Sequence, residues 1–434
     1  MMLSTRNPAL FRALFASVLL VAGLSTQLLI AQESNDPSAH EAAANSPQAQ
    51  ARHYVVIVSL GGFRWDYPKR DGARNLLALA RQGASAPEGM LPSYPAQTLS
   101  NEFSLITGLY PEHHGAVADS FRDPAIAGVF GASGKPAASN APWFSGTPLW
   151  SLAEGQGLRT AAIAWPDSNV KFAQFLPAYS LKTNGEPDAD LGQILDWLRL
   201  SAEDRPHFIS LYDPEVENAA KQSGPDSPAT RAAVLKADAF IGKLKSALDA
   251  TGLPVNLVVV SDHGMAKTEG PWITLDKFAD LTGFGAAGAL LYGKSEADKD
   301  HVYNQLKKAS DDFVVYRLKN VPAGLHFNLN PRAGDPVVIA TGPYAIRAHA
   351  PAAGQPDPPP PLGVAGFDPR AQPAMRAIFY AAGPDIVPGS IVGPFENVNL
   401  YPWLAHLLGL TAPKTDGSLS ILSGTLRDGG GAAQ

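Results

Sequence analysis

The sequence predicts an α/β protein built on a doubly wound, mainly parallel sheet with a small α+β insertion. Three observations carry that expectation. Two runs, Tyr54 to Leu60 and Asn256 to Val260, are apolar and rich in β-branched residues without a two-residue alternation, so they read as strands buried on both faces. Each stops abruptly, the first at Gly61-Gly62-Phe63-Arg64 and the second at Ser261-Asp262-His263-Gly264. Helical segments flank them: Leu76, Leu77, Leu79 and Ala80 follow the first run with Gly83 as a stop, and an amphipathic stretch from Pro228 to Gly252 leads into the second. Strand, turn and helix in that order open a doubly wound sheet, whose chemistry lies where the carboxyl ends of the strands emerge.

The chain has 434 residues, 45% hydrophobic and 17% charged, enough to bury one large core or two ordinary ones. A net charge of −6 without a long basic run gives no nucleic-acid-binding surface. With no cysteine, disulfides, thiolate metal sites and thiol nucleophiles are excluded. Any metal must be held by histidine and carboxylates.

Arg6 and Arg12 precede an apolar stretch from Ala13 to Ala31, the order of a secretory signal. Residues 1–31 are therefore expected to be a signal peptide and the protein to be exported, periplasmic or extracellular, with no stable membrane span once the signal is cleaved. An uncleaved anchor is the other reading of that stretch. Residues 32–52, rich in Ala, Ser, Gln and Asn, read as a disordered linker. The main domain is placed at 53–425 and a flexible tail at 426–434.

Within the domain, Val234, Ile241, Leu244 and Leu248 share one face of the long helix, and residues 190–200 form another covering helix. Short signals between about 285 and 345, among them Ala289 to Tyr292, His301 to Ala309 and Val337 to Ala340, mark the insertion. Pro356 to Pro361 reads as a stiff exposed loop, and Asn399 to Leu410 as the last helix.

Asp262 and His263 set an oxygen and a nitrogen ligand side by side after a buried strand. Thr98 follows a proline-punctuated turn and precedes a helix, where free N–H groups favour an anion; the same position suits a simple capping threonine. His113, His114, His301 and His406 are isolated and read as structural.

Together, Val58-Ser59-Leu60-Gly61-Gly62-Phe63-Arg64-Trp65-Asp66-Tyr67, the Thr98 loop with Thr107 to Gly115, Trp165-Pro166, Ser261 to Met265 and Gly393 to Val398 resemble the nucleotide pyrophosphatase/phosphodiesterase family of the alkaline phosphatase superfamily. The resemblance runs from about residue 53 to 420. It implies an alkaline phosphatase-type sheet and two zinc ions about 4 Å apart that clamp the oxygens of a displacement at phosphorus. It further implies Thr98 as nucleophile, Asp262 and His263 as ligands of the metal beside it, and a nucleotide or phosphodiester as ligand.

Several positions depart from that pattern. Gly61 stands where the family has a ligand aspartate, Glu217 where it has another, and Lys221 and Ala365 where it has histidines. Asp119 replaces an asparagine that binds a phosphate oxygen. Of six expected protein ligands only Asp262 and His263 are unchanged, with Glu217 a conservative third. One metal site would keep Thr98, Asp262 and His263; the other would keep Glu217 alone, so zinc is expected to be weak or absent. Lys221 could supply part of the lost positive charge or simply pair with Glu217 four residues earlier; with Asp119 and Asn101 it completes the candidate substrate contacts. The leading expectation is a pseudoenzyme or strongly impaired hydrolase that still binds phosphate-containing ligands. An active hydrolase using Thr98 with one metal or relocated ligands such as Asp213 or Asp66, and an interaction module without a ligand site, are the alternatives.

Overall fold

In the computed structural model of this chain, which describes residues 38–39, 43–131, 143–166, 168, 175–182 and 186–428, nine strands among the described residues form one sheet. They are β1 (Ser38–Ala39), β2 (Tyr54–Leu60), β3 (Ala84–Ser85), β4 (Thr160–Ile163), β5 (Tyr179–Leu181), β6 (Phe208–Asp213), β7 (Val255–Val260), β8 (Phe379–Ala382) and β9 (Ser390–Ile391), in the spatial order β1-β5-β4-β6-β2-β7-β8-β3-β9. The five central strands from β5 to β7 run parallel, β8 is antiparallel to both β7 and β3, and the sheet is therefore mixed and mostly parallel.

Every residue of β2 is buried, as an unalternating apolar run requires. Val55 and Ile57 face one layer, containing α3 (Thr98–Thr107) and α7 (Leu400–Leu407). Val56, Val58 and Leu60 face the other, containing α2 (Arg74–Gln82), α4 (Pro187–Leu198) and α6 (Pro228–Ala250). Leu76, Leu79, Val234, Ile241, Leu244 and Leu248 lie in that second layer, which accounts for the helical stripes in the sequence. Helix α6 starts at a Ser227 cap whose side chain accepts the Thr230 N–H.

The insertion is present as a hairpin, Gly285–Ala287 with Leu290–Tyr292, a helix Glu296–Leu306, and an antiparallel pair, Phe313–Tyr316 with Val337–Ala340. Its helix begins five residues before the expected His301, because Ser295 and Asp298 form a capping box. The proline-rich loop is fastened rather than loose: Arg347 makes a two-pronged ion pair with Asp357 at 2.6 and 2.9 Å, and the Trp272 ring N–H donates to the Pro358 carbonyl at 3.0 Å.

Two expected boundaries need correction. Residues 43–52, expected to be disordered linker, are bound to the body: buried Asn45 donates to the carbonyls of Ala202 and Arg205 at 2.9 and 2.7 Å and accepts the Arg159 N–H at 2.8 Å. Asn45, with its polar atoms satisfied, and Ala49, buried in the core, anchor α1 (Pro47–Gln50) despite the polar composition. At the other end the body continues past 425, since Leu426 is buried and the Arg427 N–H donates to Asp385. The expected signal segment 1–31 and residues 429–434 lie outside the described residues.

His114, next to α3, is fully buried, with Nε2 3.1 Å from the Ser104 hydroxyl and Nδ1 accepting the Ala116 N–H. Burial holds its pKa down at about 3. Because the folded state binds this proton less readily than the unfolded state, stability is lost as pH falls from about 6.5 towards 3, on the order of 1.4 kcal/mol per pH unit. Urea unfolding of His114→Gln is expected to show a shallower loss of stability between pH 6.5 and 4 than the wild type; identical slopes would remove His114 from the acid response.

Candidate active site

The pocket sits where β6, β2 and β7 end side by side. Their carboxyl termini deliver Asp213 and α5 (Glu215–Ser223), Gly61-Gly62, and Asp262-His263 to one edge of the sheet. Gly62 is required there by its backbone: φ is +66°, and a side-chain carbon would lie 2.9 Å from Glu217. Its N–H donates to Asp262 Oδ1 at 2.9 Å, which also accepts the His263 N–H at 2.7 Å. The glycine thus ties the end of β2 to the β7 loop and lets α5 pack close against it.

Thr98 is the first residue of α3, after Gln97, whose side chain makes no capping bond. Its hydroxyl lies 3.2 Å from both Glu217 oxygens, to which it donates, and 3.3 Å from His263 Nε2. The α3 terminus is capped instead from a distance: Asp119 Oδ1 accepts the Leu99 N–H at 2.9 Å, and the Asp119 N–H donates to Gln97 Oε1 at 3.1 Å.

Glu217 is the hub. Lys221 Nζ is 2.7 Å from its Oε1, His263 Nε2 is 3.7 Å from the same oxygen, and the Tyr212 hydroxyl donates to Oε2 at 3.3 Å. Burial would raise the Glu217 pKa, but His263 and Lys221 outweigh it and hold the carboxylate below its usual range. The reverse balance applies to His263, where burial is outweighed by Asp262 and Glu217 and the pKa rises. Asp262 is raised by burial in spite of His263.

Glu217, Asp262 and His263 place one ligand atom each within 4.8 Å of one another, the one such cluster among the described residues. α5 thus brings Glu217, expected at the second of two sites about 4 Å apart, to within reach of Asp262 and His263. Asp262 Oδ2 is buried without a hydrogen-bond donor, and His263 Nδ1 lies 2.7 Å from the Gly264 carbonyl, leaving Nε2 directed into the cluster. These donors fit one cation. They do not fit two. A side-chain carbon at Gly61 would stand 2.7 Å from the Tyr212 hydroxyl, so no carboxylate fits there without moving that ring. Ala365 lies in a small apolar cluster with Ala96, Ala266 and Met375, and Lys221 presents an ammonium.

Other expected residues fall elsewhere. Asn101 is buried and spent on the scaffold: Oδ1 accepts the Ser93 N–H and the Asn397 amide, and Nδ2 donates to the carbonyls of Pro95 and Gln97. It latches the Thr98 loop rather than contacting a ligand. Asp66 pairs with Arg64, and Asp213 caps the start of α5 through the Glu215 N–H, so neither is a relocated metal ligand. Two residues went unread. Glu102, one turn beyond Thr98, accepts the Ser59 hydroxyl at 2.5 Å; burial first, and Asp262 next, push its pKa well up. Tyr212, at the end of an ordinary buried strand, is likewise raised by burial. Only an acidic residue on a buried helix face hinted at the former.

The pocket holds about 350 Å³ and is walled by Val117, Leu290, Phe327, Ile339 and Phe367, with Lys221, Glu217, His263 and Asp119 at its polar end. Part of that wall comes from the insertion.

A mostly parallel sheet with a threonine at a helix start facing an Asp-His pair defines a protein of the alkaline phosphatase superfamily. Residues 55–359 match the sequence profile of the type I phosphodiesterase/nucleotide pyrophosphatase family, and the chain belongs to that family. It is 32% identical over 387 residues to an uncharacterised pyrophosphatase/phosphodiesterase of Schizosaccharomyces pombe, covering 84% of this chain and 78% of the relative. It is 29% identical over 438 residues to human ectonucleotide pyrophosphatase/phosphodiesterase family member 7, covering 94% and 88%. Among solved structures, murine ectonucleotide pyrophosphatase/phosphodiesterase 5, an inactive threonine-to-alanine variant in complex with AMP, aligns with TM-score 0.79 and 27% identity over 86% of this chain and all of that one.

Truncating the hub should cost more than truncating its exposed partner. Glu217→Ala removes the partner of Lys221 and one of the two carboxylates beside buried His263 and is expected to destabilise by about 3 kcal/mol. Lys221→Ala, whose side chain is 44% exposed, is expected to cost less than about 1 kcal/mol. Urea denaturation measures both, and the opposite order would remove Glu217 from the centre.

Proposed function

We propose that this family member is an exported, catalytically disarmed phosphodiesterase whose pocket binds a phosphate-bearing ligand of the nucleotide or phosphodiester class. One observation supports the reading: Gly61, Lys221 and Ala365 stand at positions where the family pattern has an aspartate and two histidines, and the Tyr212 hydroxyl lies 2.7 Å from where a side-chain carbon at Gly61 would be. Glu217, Asp262 and His263 could hold a single divalent cation, which when bound would polarise a phosphoryl oxygen. Zinc is the cation the family resemblance implies.

The chain's own residues do not replace the missing ion as an activator. An attacking threonine must lose its proton, and Glu217, the carboxylate that receives the Thr98 hydroxyl, is a poor base because Lys221 and His263 hold its proton affinity down. Lys221 supplies a positive charge at the pocket's polar end, and the AMP complex of the murine relative supports the ligand class. Export is supported by the charged-then-apolar order of residues 6–31 and by the ectonucleotide names of the relatives. No described helix is long and apolar enough to cross a membrane.

A chromogenic phosphodiester assay with added zinc tests the reading directly. Wild type and Thr98→Ala are expected to show the same background rate; turnover in the wild type that disappears in Thr98→Ala would establish an active hydrolase instead.

A further inference from the structure

We propose that Asp357 to Leu362 is a strap that gates the pocket, held shut by a clasp of Arg347 and Trp272 on Asp357 and Pro358 and pivoting open about Leu362 to admit a ligand. The inference rests on the pocket being the ligand site. Four consecutive prolines, Pro358 to Pro361, leave the segment without a backbone N–H to donate and with φ fixed at each step. Such a stretch joins no sheet and bends little, so it moves as a rod.

The two ends of the rod are held differently. At Leu362 the ties are made largely by backbone: its N–H donates to the Lys221 carbonyl at 2.9 Å, its carbonyl accepts the Thr268 N–H at 3.1 Å, and Gly363 and Val364 pair with Lys267 and Ala266. The Thr268 hydroxyl adds a bond to the Pro361 carbonyl. That end is therefore fixed to α5 and to the chain that follows β7. At Asp357 and Pro358 side chains do the holding, through the bidentate Arg347 ion pair and the Trp272 indole N–H. Arg347 and Trp272 lie on the paired segments Ile273–Thr274 and Ile346–Arg347 and just before them, which flank the insertion. The guanidinium sits 5.1 Å over the indole ring and also donates to the Thr274 hydroxyl at 3.0 Å, so the clasp is one preformed unit.

The Asp357 side chain is 53% exposed, which makes the ion pair weak and open to screening by salt. A stiff segment fixed firmly at one end and clasped weakly at the other swings at the weak end. Trp272 and Pro361 both line the pocket, and the chain beyond the anchor, through Gly363 and Phe367, continues its wall. Release of the clasp thus opens the cavity without disturbing Glu217, Asp262 or His263.

Because the chain has no cysteine, a single thiol can report on the gate whatever the natural ligand is. Ala287 lines the pocket from the insertion hairpin and is 6% exposed. In Ala287→Cys the rate of reaction with an uncharged maleimide measures opening, and thermal melting shows that the proteins compared are equally folded. Adding Asp357→Asn or Arg347→Ala is expected to raise that rate at least about threefold, the scale of an exposed ion pair. Raising salt from about 0.05 M to about 1 M should speed labelling with the clasp intact and leave Asp357→Asn unchanged. Stopped-flow mixing with AMP gives a second reading: association and dissociation should both quicken in Asp357→Asn, with Kd altered by less than about twofold. Equal labelling rates in all the proteins would overturn the gate and leave the ligand reading intact. Faster labelling that responds to salt equally with and without Asp357 would show loosened packing rather than unclasping and overturn it too, as would an AMP effect confined to dissociation. Clasp-dependent labelling with no AMP binding by any protein would uphold the gate and overturn the nucleotide reading.

Discussion

The arrangement depends on one buried carboxylate. Glu217 accepts from Thr98, Tyr212 and Lys221 and lies close to His263, so a single side chain of α5 joins the helix start, the end of β6 and the β7 loop. A buried anion is tolerable only when cations and donors surround it. Lys221, one turn along the same helix, supplies that compensation from within the chain. The site is therefore electrostatically closed without an external ion, although the orphaned Asp262 Oδ2 keeps room for one.

The geometry around that hub is set by close packing. Gly62 lets β2 approach Glu217 to a distance no side chain would allow, and Gly61 leaves a space that the Tyr212 ring takes up. The Ser93, Asn101 and Asn397 latch fixes the loop in front of Thr98. The framework is held by backbone ties and amide side chains, which are indifferent to whether a cation is bound.

The fold was legible where burial imposed a run of residue types. Strands β2 and β7 show themselves as unbroken apolar stretches, and α6 as a long amphipathic stripe. The two-residue strands β3 and β9 are too short for any periodicity to register, and the anchoring of residues 43–52 rests on Asn45, a residue type that composition counts as polar. Glu217, Lys221, His263 and Asp119 line one pocket, with Thr98 bonded to Glu217 and Asp262 3.4 Å from His263. Asn101 was misread because its place in the helix turns it inward, while Glu102 and Tyr212 act through tertiary neighbours 43 and 5 residues away that no local pattern announces.

The capacity of the site for metal is the central quantity. Protein stripped with a chelator, then titrated with zinc and assayed for bound metal after desalting, is expected to retain no more than one equivalent, and that one only through Glu217, Asp262 and His263. Two tightly held equivalents would contradict the loss of the second site and with it the description of this protein as a disarmed phosphodiesterase.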